Sequence, residues 1–483
     1  MKRHALTLCL LLHVYAQDWT LEIDLTNSSI ASLPIATNFV SLSAEIDDTP
    51  HYLGPADNIS AAFVSLMLLL RNSGPSSRGP TLRVAGDSSD YSLWWPQNGS
   101  LPHGQTYAIT NADLDMYAAA LPKWGGKMVL GTSLYLANST QWGSAHAKAV
   151  SAHAAGWTFI EGVEIGNEPE GFNGGEAFRP RSWSPVDFAR EFEAHSVALV
   201  AAGMPADPPL LQGFVLGGND TAFNRFWPNF TQEFAPILAS VSRHHYALEG
   251  CAGGSPFSVW DLLASDAAAF LLPYASAAAT AGVPFVVGET NSVSCGGQRG
   301  VSDVFAAALW ALDFALSTAA FNASEVNWHG GPHSAYAPIQ TEPPSLAPRA
   351  MPLFYGLWAA SFATSNASSI TTHVRSGTAP AQVRVHTLRD GAGMTRVVVV
   401  HKTNSTDAVV RVVGGRKSTN ATLRRLSASA VTDARGVSFG GLTLDGVTDG
   451  VPVPGGPPME TIPCVAGVFS FKVFSGTAAI LVF

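Results

Sequence analysis

The stretch that decides the fold covers residues 163–170 and reads VEIGNEPE. An apolar run typical of a strand leads to Glu168, and Pro169 directly after it cannot continue a helix or a ladder of backbone hydrogen bonds. A second stretch, PFVVGETN at 284–291, again ends an apolar run in a carboxylate, Glu289. Because the carboxyl ends of parallel strands form the active-site face of a (β/α)8 barrel, two such carboxylates would meet there. A single glutamate at a strand end is as often a helix cap or a salt-bridge partner, so the argument depends on the pair.

Residues 38–362 are predicted to form this (β/α)8 barrel. Strand-like runs alternate with longer helical stretches, and several runs are apolar throughout, as in parallel strands buried on both faces. The predicted strands are Asn38–Glu45, Thr81–Ala85, Lys127–Leu134, Phe159–Gly166, Leu210–Leu216, Ser240–Tyr246, Pro284–Gly288 and Glu325–His329. Helical stretches between them include Ala145–Ala155, Pro185–Ala202, Trp260–Ala281 and Val304–Ala319. A doubly wound open sheet fits the alternation almost as well, and the paired carboxylates favour the barrel.

The remaining chain, residues 363–483, is predicted to be a β-sandwich. It contains short, mostly valine-rich runs separated by clusters of Gly, Asn and Asp, with no helical stretch between them. The predicted strands are Val383–Leu388, Arg396–His401, Ala408–Val413, Ala428–Val431 and Val468–Phe474. Residues 17–37 contain another strand-like stretch, Trp19–Leu25, which we expect to join the same sandwich.

The first 16 residues resemble a secretory signal peptide. Lys2, Arg3 and His4 precede an apolar run from Ala5 to Val14, and Ala16 offers a cleavage point. This run is too short to span a bilayer, so we expect a secreted, extracellular protein with no membrane span. N-glycosylation sequons, which suit that compartment, begin at Asn27, Asn58, Asn98, Asn138, Asn219, Asn229, Asn322, Asn366, Asn404 and Asn420.

Charge and cysteine content narrow the class of partner. The formal net charge is −9, which argues against a nucleic-acid partner and against a cleft for a densely sulfated polyanion. No cysteine spacing resembles a zinc site, and we expect no metal, no cofactor and a monomer. Cys251 and Cys295 follow predicted strands six and seven, whose loops emerge side by side, so they are expected to form a disulfide that leaves Cys464 free.

The chain resembles glycoside hydrolase family 79, the family of heparanase and the fungal β-glucuronidases, within the retaining four/seven barrel superfamily. Four motifs carry the resemblance, in family order: residues 83–86 with Asp90, residues 164–169, residues 244–246, and residues 288–292 with Gly296 and Gly297. The resemblance implies that Glu168 is the catalytic acid/base and Glu289 the nucleophile.

The same resemblance implies roles for the surrounding residues. Asn167 would face the 2-hydroxyl of the sugar, Tyr246 would hydrogen-bond the nucleophile, and Asp90 would line the substrate pocket. His244 is a candidate substrate contact. The substrate carboxylate would be held near Gly296, Gly297 and Tyr336, where the chain departs from the family pattern by placing Cys295 at a position usually occupied by glycine.

A further expectation comes from the residues themselves. Glu164 has the same strand parity as Glu168 and would point into the barrel, where an unpaired charge is costly, so Arg83 is expected to pair with it. The resemblance to family 79 implies a retaining exo-β-glucuronidase that releases terminal glucuronic acid from glycans or glycoproteins. Two alternatives stay open: an endo-β-glucuronidase acting on uronic-acid polysaccharides, and a catalytically silent secreted protein that binds carbohydrate.

Overall fold

The structure is a computed structural model of the chain. It describes residues 19–26, 34–71, 77–96, 100–101, 104–135, 139–172, 179–251, 253, 255–341, 347–373, 382–414 and 418–483. The predicted signal peptide and the sequons at Asn27, Asn98 and Asn138 lie outside these residues. The other seven sequon asparagines are all exposed, as attachment of a glycan requires.

A closed barrel of eight parallel strands forms the first part of the fold, which confirms the predicted architecture. In barrel order, the strands are Val40–Glu45, Leu82–Ala85, Met128–Thr132, Ile160–Ile165, Leu211–Leu216, Leu238–His244, Phe285–Thr290 and Ala323–His329. The eighth strand pairs with the first and closes the ring. Sequence order equals spatial order around the ring, so the ends of strands four and seven lie across one barrel mouth.

Helices surround the barrel and connect its strands. The α-helices are Thr49–Leu53, Ala61–Leu70, Asp87–Asp90, Asn111–Ala120, Ser139–Ala152, Pro185–Ala201, Thr221–Phe234, Val259–Ala264, Ala267–Ala281, Phe305–Ala320 and Pro352–Thr364. Short 3-10 helices cover Leu121–Lys123, Gly156–Phe159, Pro169–Gly171 and Ala235–Ile237. Residues 259–281 are apolar and long enough to cross a membrane. The structure divides them at Ser265 and Asp266 into two helices, each of which buries one face.

The second part of the fold is a curled twelve-stranded sheet. Its strands are Trp19–Asp24, Ala367–Thr372, Val383–Asp390, Thr395–His401, Ala408–Val413, Asn420–Ser427, Ser438–Phe439, Leu442–Thr443, Val453–Pro454, Glu460–Val465, Val468–Val473 and Thr477–Val482. Trp19–Asp24 pairs in parallel with Ala408–Val413, as the prediction that the N-terminal segment joins the sandwich requires. Two further pairs of short strands lie outside this sheet: Ser92–Trp94 with Tyr107–Ile109, and Ile339–Thr341 with Pro348–Ala350.

One predicted sandwich strand is wrong. Residues 428–431 form a turn, and the strand lies just before them at Asn420–Ser427. Arg424 and Arg425 interrupt the alternation of apolar and polar residues that would indicate this strand. In the structure each arginine has a specific partner. Arg424 lies over the ring of Phe362, and Arg425 pairs with Glu460.

The sandwich packs against the barrel through an apolar face and a buried ion cluster. Val398 and Val400 point toward the barrel core, whereas the alternate residues Val397 and Val399 fill the sandwich interior. This two-sided burial explains why the strand is apolar at consecutive positions. At the same junction the Lys402 ammonium lies 2.6 Å from a carboxylate oxygen of Asp313, on the barrel helix Phe305–Ala320.

Candidate active site

Glu168 and Glu289 face each other at the barrel mouth. Glu289 lies in strand seven, and Glu168 follows the end of strand four by three residues. One carboxylate oxygen of Glu168 lies within 4.8 Å of one of Glu289. The Glu168 side chain is 36% exposed and that of Glu289 only 10%, so the two carboxylates have different environments.

Glu289 is surrounded by groups that favour its ionised form. Arg83 Nη1 donates to its Oε2 at 2.8 Å, and the Tyr246 hydroxyl donates to its Oε1 at 2.7 Å. Burial alone would raise the pKa of Glu289, but the positive charges of His329 and Arg83 and the Tyr246 hydrogen bond hold that pKa well below its usual range. Tyr246 thus has the contact that the resemblance implied for it, although strand six already ends at His244.

Arg83 connects the two sides of the site from strand two. Its side chain is fully buried, and its Nε lies 3.0 and 2.9 Å from the two carboxylate oxygens of Glu164. The predicted pair between Arg83 and Glu164 is therefore confirmed. The same guanidinium also donates to Glu289 and, through Nη2, to the Asn167 side-chain oxygen at 3.0 Å, two contacts that no sequence pattern indicated. One planar group with five N–H donors can serve all three partners.

The surroundings of Glu168, unlike those of Glu289, favour its protonated form. Burial and the nearby negative charge of Glu289 raise the pKa of Glu168 to about 7. Its backbone is left-handed, with φ 46° and ψ 55°, a conformation that residues other than glycine rarely adopt. The backbone N–H of Glu168 donates to the Val215 carbonyl at 3.0 Å, which fixes the turn before Pro169.

His244 lies against Glu168 and near Glu289. Its Nδ1 lies 2.8 Å from Glu168 Oε1, and the residue is fully buried. Burial lowers the pKa of His244 to about 4, so the imidazole is neutral near pH 7. The contact positions the Glu168 carboxyl group, and the role of His244 as a substrate contact stays a prediction.

His329 is a site residue that the sequence analysis did not identify. It ends strand eight, and its Nδ1 lies 3.7 Å from Glu289 Oε2 while its Nε2 lies 3.4 Å from Glu45 Oε1. Although burial opposes it, the negative charges of Glu289 and Glu45 raise the pKa of His329 to about 9. His329 is therefore an imidazolium near pH 7. Its position at a strand end was the one sequence signal that could have indicated it.

Asp90 lies beneath the mouth and is not open to a sugar. Its carboxylate accepts backbone N–H groups of Leu134 at 2.7 Å, Tyr135 at 3.2 Å and Asn167 at 2.9 Å. These bonds use both oxygens of a residue that is only 3% exposed. The predicted pocket-lining role is thus better described as positioning of the loops after strands three and four. At the mouth itself, exposed Asp87 accepts from Asn167 Nδ2 at 2.8 Å.

Gly296, Gly297 and Tyr336 come together in the structure. Both glycines have positive φ, and a side chain at Gly297 would clash with the backbone nitrogen of Tyr336. The Gly296 carbonyl accepts the Ala335 N–H at 2.7 Å. The ring of Tyr336 lies 5.9 Å from that of Tyr246, which contacts Glu289. The predicted carboxylate-binding elements therefore lie next to one of the two acidic residues.

A disulfide joins Cys251 and Cys295, as predicted, and their Cα atoms lie 5.2 Å apart. Cys464 lies outside this bond and is partly buried. The bond links the loops that follow strands six and seven. It thereby anchors the segment that carries Gly296 and Gly297.

The atoms of Glu168, His244 and Glu289 that lie within 4.8 Å of one another could also serve as metal ligands. Arg83 already supplies a cation 2.8 Å from Glu289 Oε2, so the negative charge of that carboxylate is balanced by the protein itself. The donor set thus fits an acid/base pair at least as well as a metal site.

Comparisons with known proteins found similar sequences and similar solved structures. No family model matches the chain. A β-glucuronidase of Aspergillus niger is 23% identical over 366 residues, and one of Neurospora crassa is 25% identical over 373 residues. The chain is similar to these two fungal β-glucuronidases. These matches confirm the resemblance, and they cover 68% and 70% of the chain but only 64% and 65% of the relatives' lengths.

Solved structures share the fold. A 4-O-α-L-rhamnosyl-β-D-glucuronidase from Fusarium oxysporum superposes with a TM-score of 0.76 at 17% identity, and covers 96% of this chain and 100% of that one. A family 51 α-L-arabinofuranosidase from Bifidobacterium longum gives a TM-score of 0.67 at 14% identity, and covers 97% and 100%. At this level of identity the likeness supports the barrel with its sandwich, while the chemistry must be argued from the site.

Proposed function

We propose that this protein is a secreted retaining glycoside hydrolase that releases terminal β-linked glucuronic acid, with Glu168 as acid/base and Glu289 as nucleophile. One observation carries the proposal: two carboxylates with oxygens within 4.8 Å of each other have pKa values displaced in opposite directions. Retaining enzymes place their carboxyl groups about 5–5.5 Å apart, whereas inverting enzymes need about 6.5–9.5 Å to admit a water.

In the first step, protonated Glu168 donates its proton to the glycosidic oxygen as the bond to the anomeric carbon breaks. Ionised Glu289 attacks that carbon and forms a glycosyl ester, and the aglycone leaves with the proton. Arg83 and Tyr246 hold the two Glu289 oxygens at 2.8 and 2.7 Å, which keeps the nucleophile ionised and aimed. His244, at 2.8 Å from Glu168, orients the acid.

In the second step, Glu168 acts as a base. It takes a proton from a water that attacks the anomeric carbon, and the ester to Glu289 breaks with overall retention. Esterification removes the negative charge that contributes to the raised pKa of Glu168, so this pKa falls when a base is needed. The two roles of Glu168 thus follow from the charge state of Glu289.

The preference for glucuronic acid rests on the relatives and on the loop after strand seven. Both curated relatives are named β-glucuronidases. In this chain, the turn at Gly296 and Gly297 lies against Tyr336, and backbone N–H groups and a phenol can bind a carboxylate without a cation. The predicted signal peptide and the exposed sequons support secretion.

The test is turnover of 4-nitrophenyl β-glucuronide by the purified chain, compared with the corresponding glucoside and galactoside. Glu289→Gln should abolish turnover of every substrate, because no ester can form. Glu168→Gln should retain the first step on a dinitrophenyl glucuronide, accumulate the glycosyl-enzyme and be rescued by azide. Rescue of the Glu289 variant by azide with a retained β-glycosyl azide as product, or of the Glu168 variant with an inverted one, would require the two roles to be exchanged.

Two other functions remain candidates. An endo-β-glucuronidase would cleave inside a uronic-acid polysaccharide, and product size would distinguish it, since an exo-enzyme releases only monosaccharide at early times. A silent carbohydrate-binding protein would bind glucuronides without turnover. The opposed environments of Glu168 and Glu289 favour an enzyme over this second alternative, because binding alone needs no such separation.

A further inference from the structure

A cavity of about 440 Å³ lies between the loops that follow barrel strands seven and eight and a loop of the sandwich. Each of these three segments contributes one arginine to its lining: Arg299, Arg349 and Arg435. The three arginines line one cavity of a chain whose formal net charge is −9. The cavity is therefore a local site of positive charge at the end of the barrel that carries the candidate active site.

Two of the arginines belong to the loops that form the candidate active site. Arg299 follows Gly297 by two residues, and Gly297 packs against Tyr336. Arg349 Nη2 donates to Gln340 Oε1 at 3.4 Å, and Gln340 Nε2 in turn donates to the Ser334 carbonyl at 2.7 Å. The cavity is thus connected through these loops to the segments that carry the proposed sugar contacts.

The third arginine is held in place by backbone hydrogen bonds between barrel and sandwich. The N–H groups of Phe305 and Ala306, at the start of a barrel helix, each donate at 2.8 Å to the carbonyls of Asp433 and Val431. These bonds fix the sandwich segment that ends in Arg435 against the loop after strand seven. The position of Arg435 therefore depends on the barrel.

Two acidic residues of the cavity are already engaged. Asp303 Oδ1 accepts the Gly300 N–H at 2.5 Å, and its Oδ2 lies 3.9 Å from Arg299 Nη1. Asp445 Oδ2 accepts the Gly436 N–H in the neighbouring loop. Both carboxylates thus order the lining loops, and three guanidinium groups outnumber them.

We propose that the cavity lined by Arg299, Arg349 and Arg435 is a subsite for a second acidic group of the substrate, on a sugar outside the catalytic pocket. The inference rests on the proposed function and specifies the class of substrate more closely. A guanidinium group presents paired N–H donors that match a carboxylate or a sulfate. The natural substrate is then an acidic oligosaccharide that carries uronate or sulfate groups in addition to the glucuronate that is released.

The test uses the double variant Arg299→Gln/Arg435→Gln of the full chain. Both residues are exposed, so their replacement leaves the packing intact. Arg190→Gln is the matched control, because its side chain is 74% exposed against 77% for Arg299, and both arginines have an aspartate one helical turn away in sequence. Initial rates are measured on 4-nitrophenyl β-glucuronide, on a glucuronate-terminated oligosaccharide with a second uronate, on its sulfated form and on its carboxyl-reduced form.

The double variant should lose about tenfold in kcat/KM on the oligosaccharides with a second acidic group, mainly through KM. It should match the wild type on the aryl glucuronide and on the carboxyl-reduced oligosaccharide. A loss confined to either the uronate or the sulfated form would identify the acidic group. Equal losses on all substrates, or none on any, would overturn the subsite.

A binding experiment separates this inference from the proposed function. If the wild type cleaves no glucuronide, calorimetric titration with the uronate-containing oligosaccharide still tests the cavity. Binding that is weakened by the double variant but not by Arg190→Gln would support the subsite even though the enzyme proposal had failed. Equal binding by wild type and double variant would overturn the subsite.

Discussion

Gly217→Ala should move Glu168, the proposed catalytic acid, without unfolding the protein. Gly217 directly follows barrel strand five, and a methyl group there would overlap both carboxylate oxygens and the carboxyl carbon of Glu168. Real Cβ atoms essentially never approach another heavy atom closer than 3.0 Å. The Glu168 carboxyl group would therefore have to retreat by roughly 1 Å or more, which would also disturb its 2.8 Å contact with His244.

Displacement of a reacting group by this amount costs about 100-fold in rate. We expect kcat on 4-nitrophenyl β-glucuronide to fall by about that factor. The burst of the first step on a dinitrophenyl glucuronide should be spared, because that leaving group needs no proton. The melting temperature should change little, since the displaced atoms end a flexible side chain that is 36% exposed, and Gly217 has no positive φ that alanine would strain.

Gly171→Ala is the matched control, because a methyl group there would meet nothing within 4 Å. Steady-state kinetics and thermal melting of both variants give the answer. Wild-type kcat in Gly217→Ala would refute the reasoning, because the position of Glu168 in the structure would then have no bearing on catalysis. A large drop in the melting temperature of Gly217→Ala would refute the expectation that the Glu168 side chain moves while the fold stays unchanged.

Three further predictions follow from the buried charges. The value of kcat/KM should fall above pH 7, because the pKa of Glu168 is raised to about 7 and the proposed acid must be protonated. Tyr246→Phe should shift the acidic limb of the same profile to higher pH, because loss of the Tyr246 hydrogen bond raises the pKa of Glu289. Burial lowers the pKa of His195 to about 4 from 6.5, so the unfolded chain binds the proton first as the pH falls. Between pH 7 and pH 5 the wild type should therefore lose about 2 kcal/mol more of its unfolding free energy than His195→Gln does, as measured by urea titration at each pH. Lys402→Met should lower the free energy of unfolding by about 2 kcal/mol, because buried Asp313 loses its nearest cation and keeps only His386 and Arg384 as partners. Lys472→Met, in a more exposed pair, should cost under about 1 kcal/mol.

The barrel could be predicted because its strands have one simple signature. Each is a short apolar run, and the runs that end in Glu168 and Glu289 also fix which strand ends face the mouth. The sandwich was harder to predict, because a strand such as Asn420–Ser427 hides its alternation behind two arginines. Burial of Arg425 depends on its pair with Glu460, 35 residues away in sequence, and no local pattern contains that information.

The residues of the candidate site could be predicted from the sequence, but most of the hydrogen bonds and ion pairs between them could not. Strand parity indicated that Arg83 and Glu164 would pair, since each charge needed a partner inside the barrel. Parity could not show that the same guanidinium reaches Glu289, because that contact depends on the barrel radius and on side-chain reach. For the same reason His244 and Asp90 have other partners than the resemblance implied.

The connections matter because they make the two carboxylates unequal. Glu289 has a fixed cation, Arg83, and a second one, His329, within 3.7 Å, whereas the direct partner of Glu168 is the neutral imidazole of His244. A single proton shared by the pair therefore resides on Glu168, which is the state that the proposed first step requires. Once Glu289 is esterified, the charges of Arg83 and His329 act on Glu168 without the opposing anion, and they favour loss of its proton. On this proposal Arg83 and His329 together set the starting charge state of the site and also favour its reversal.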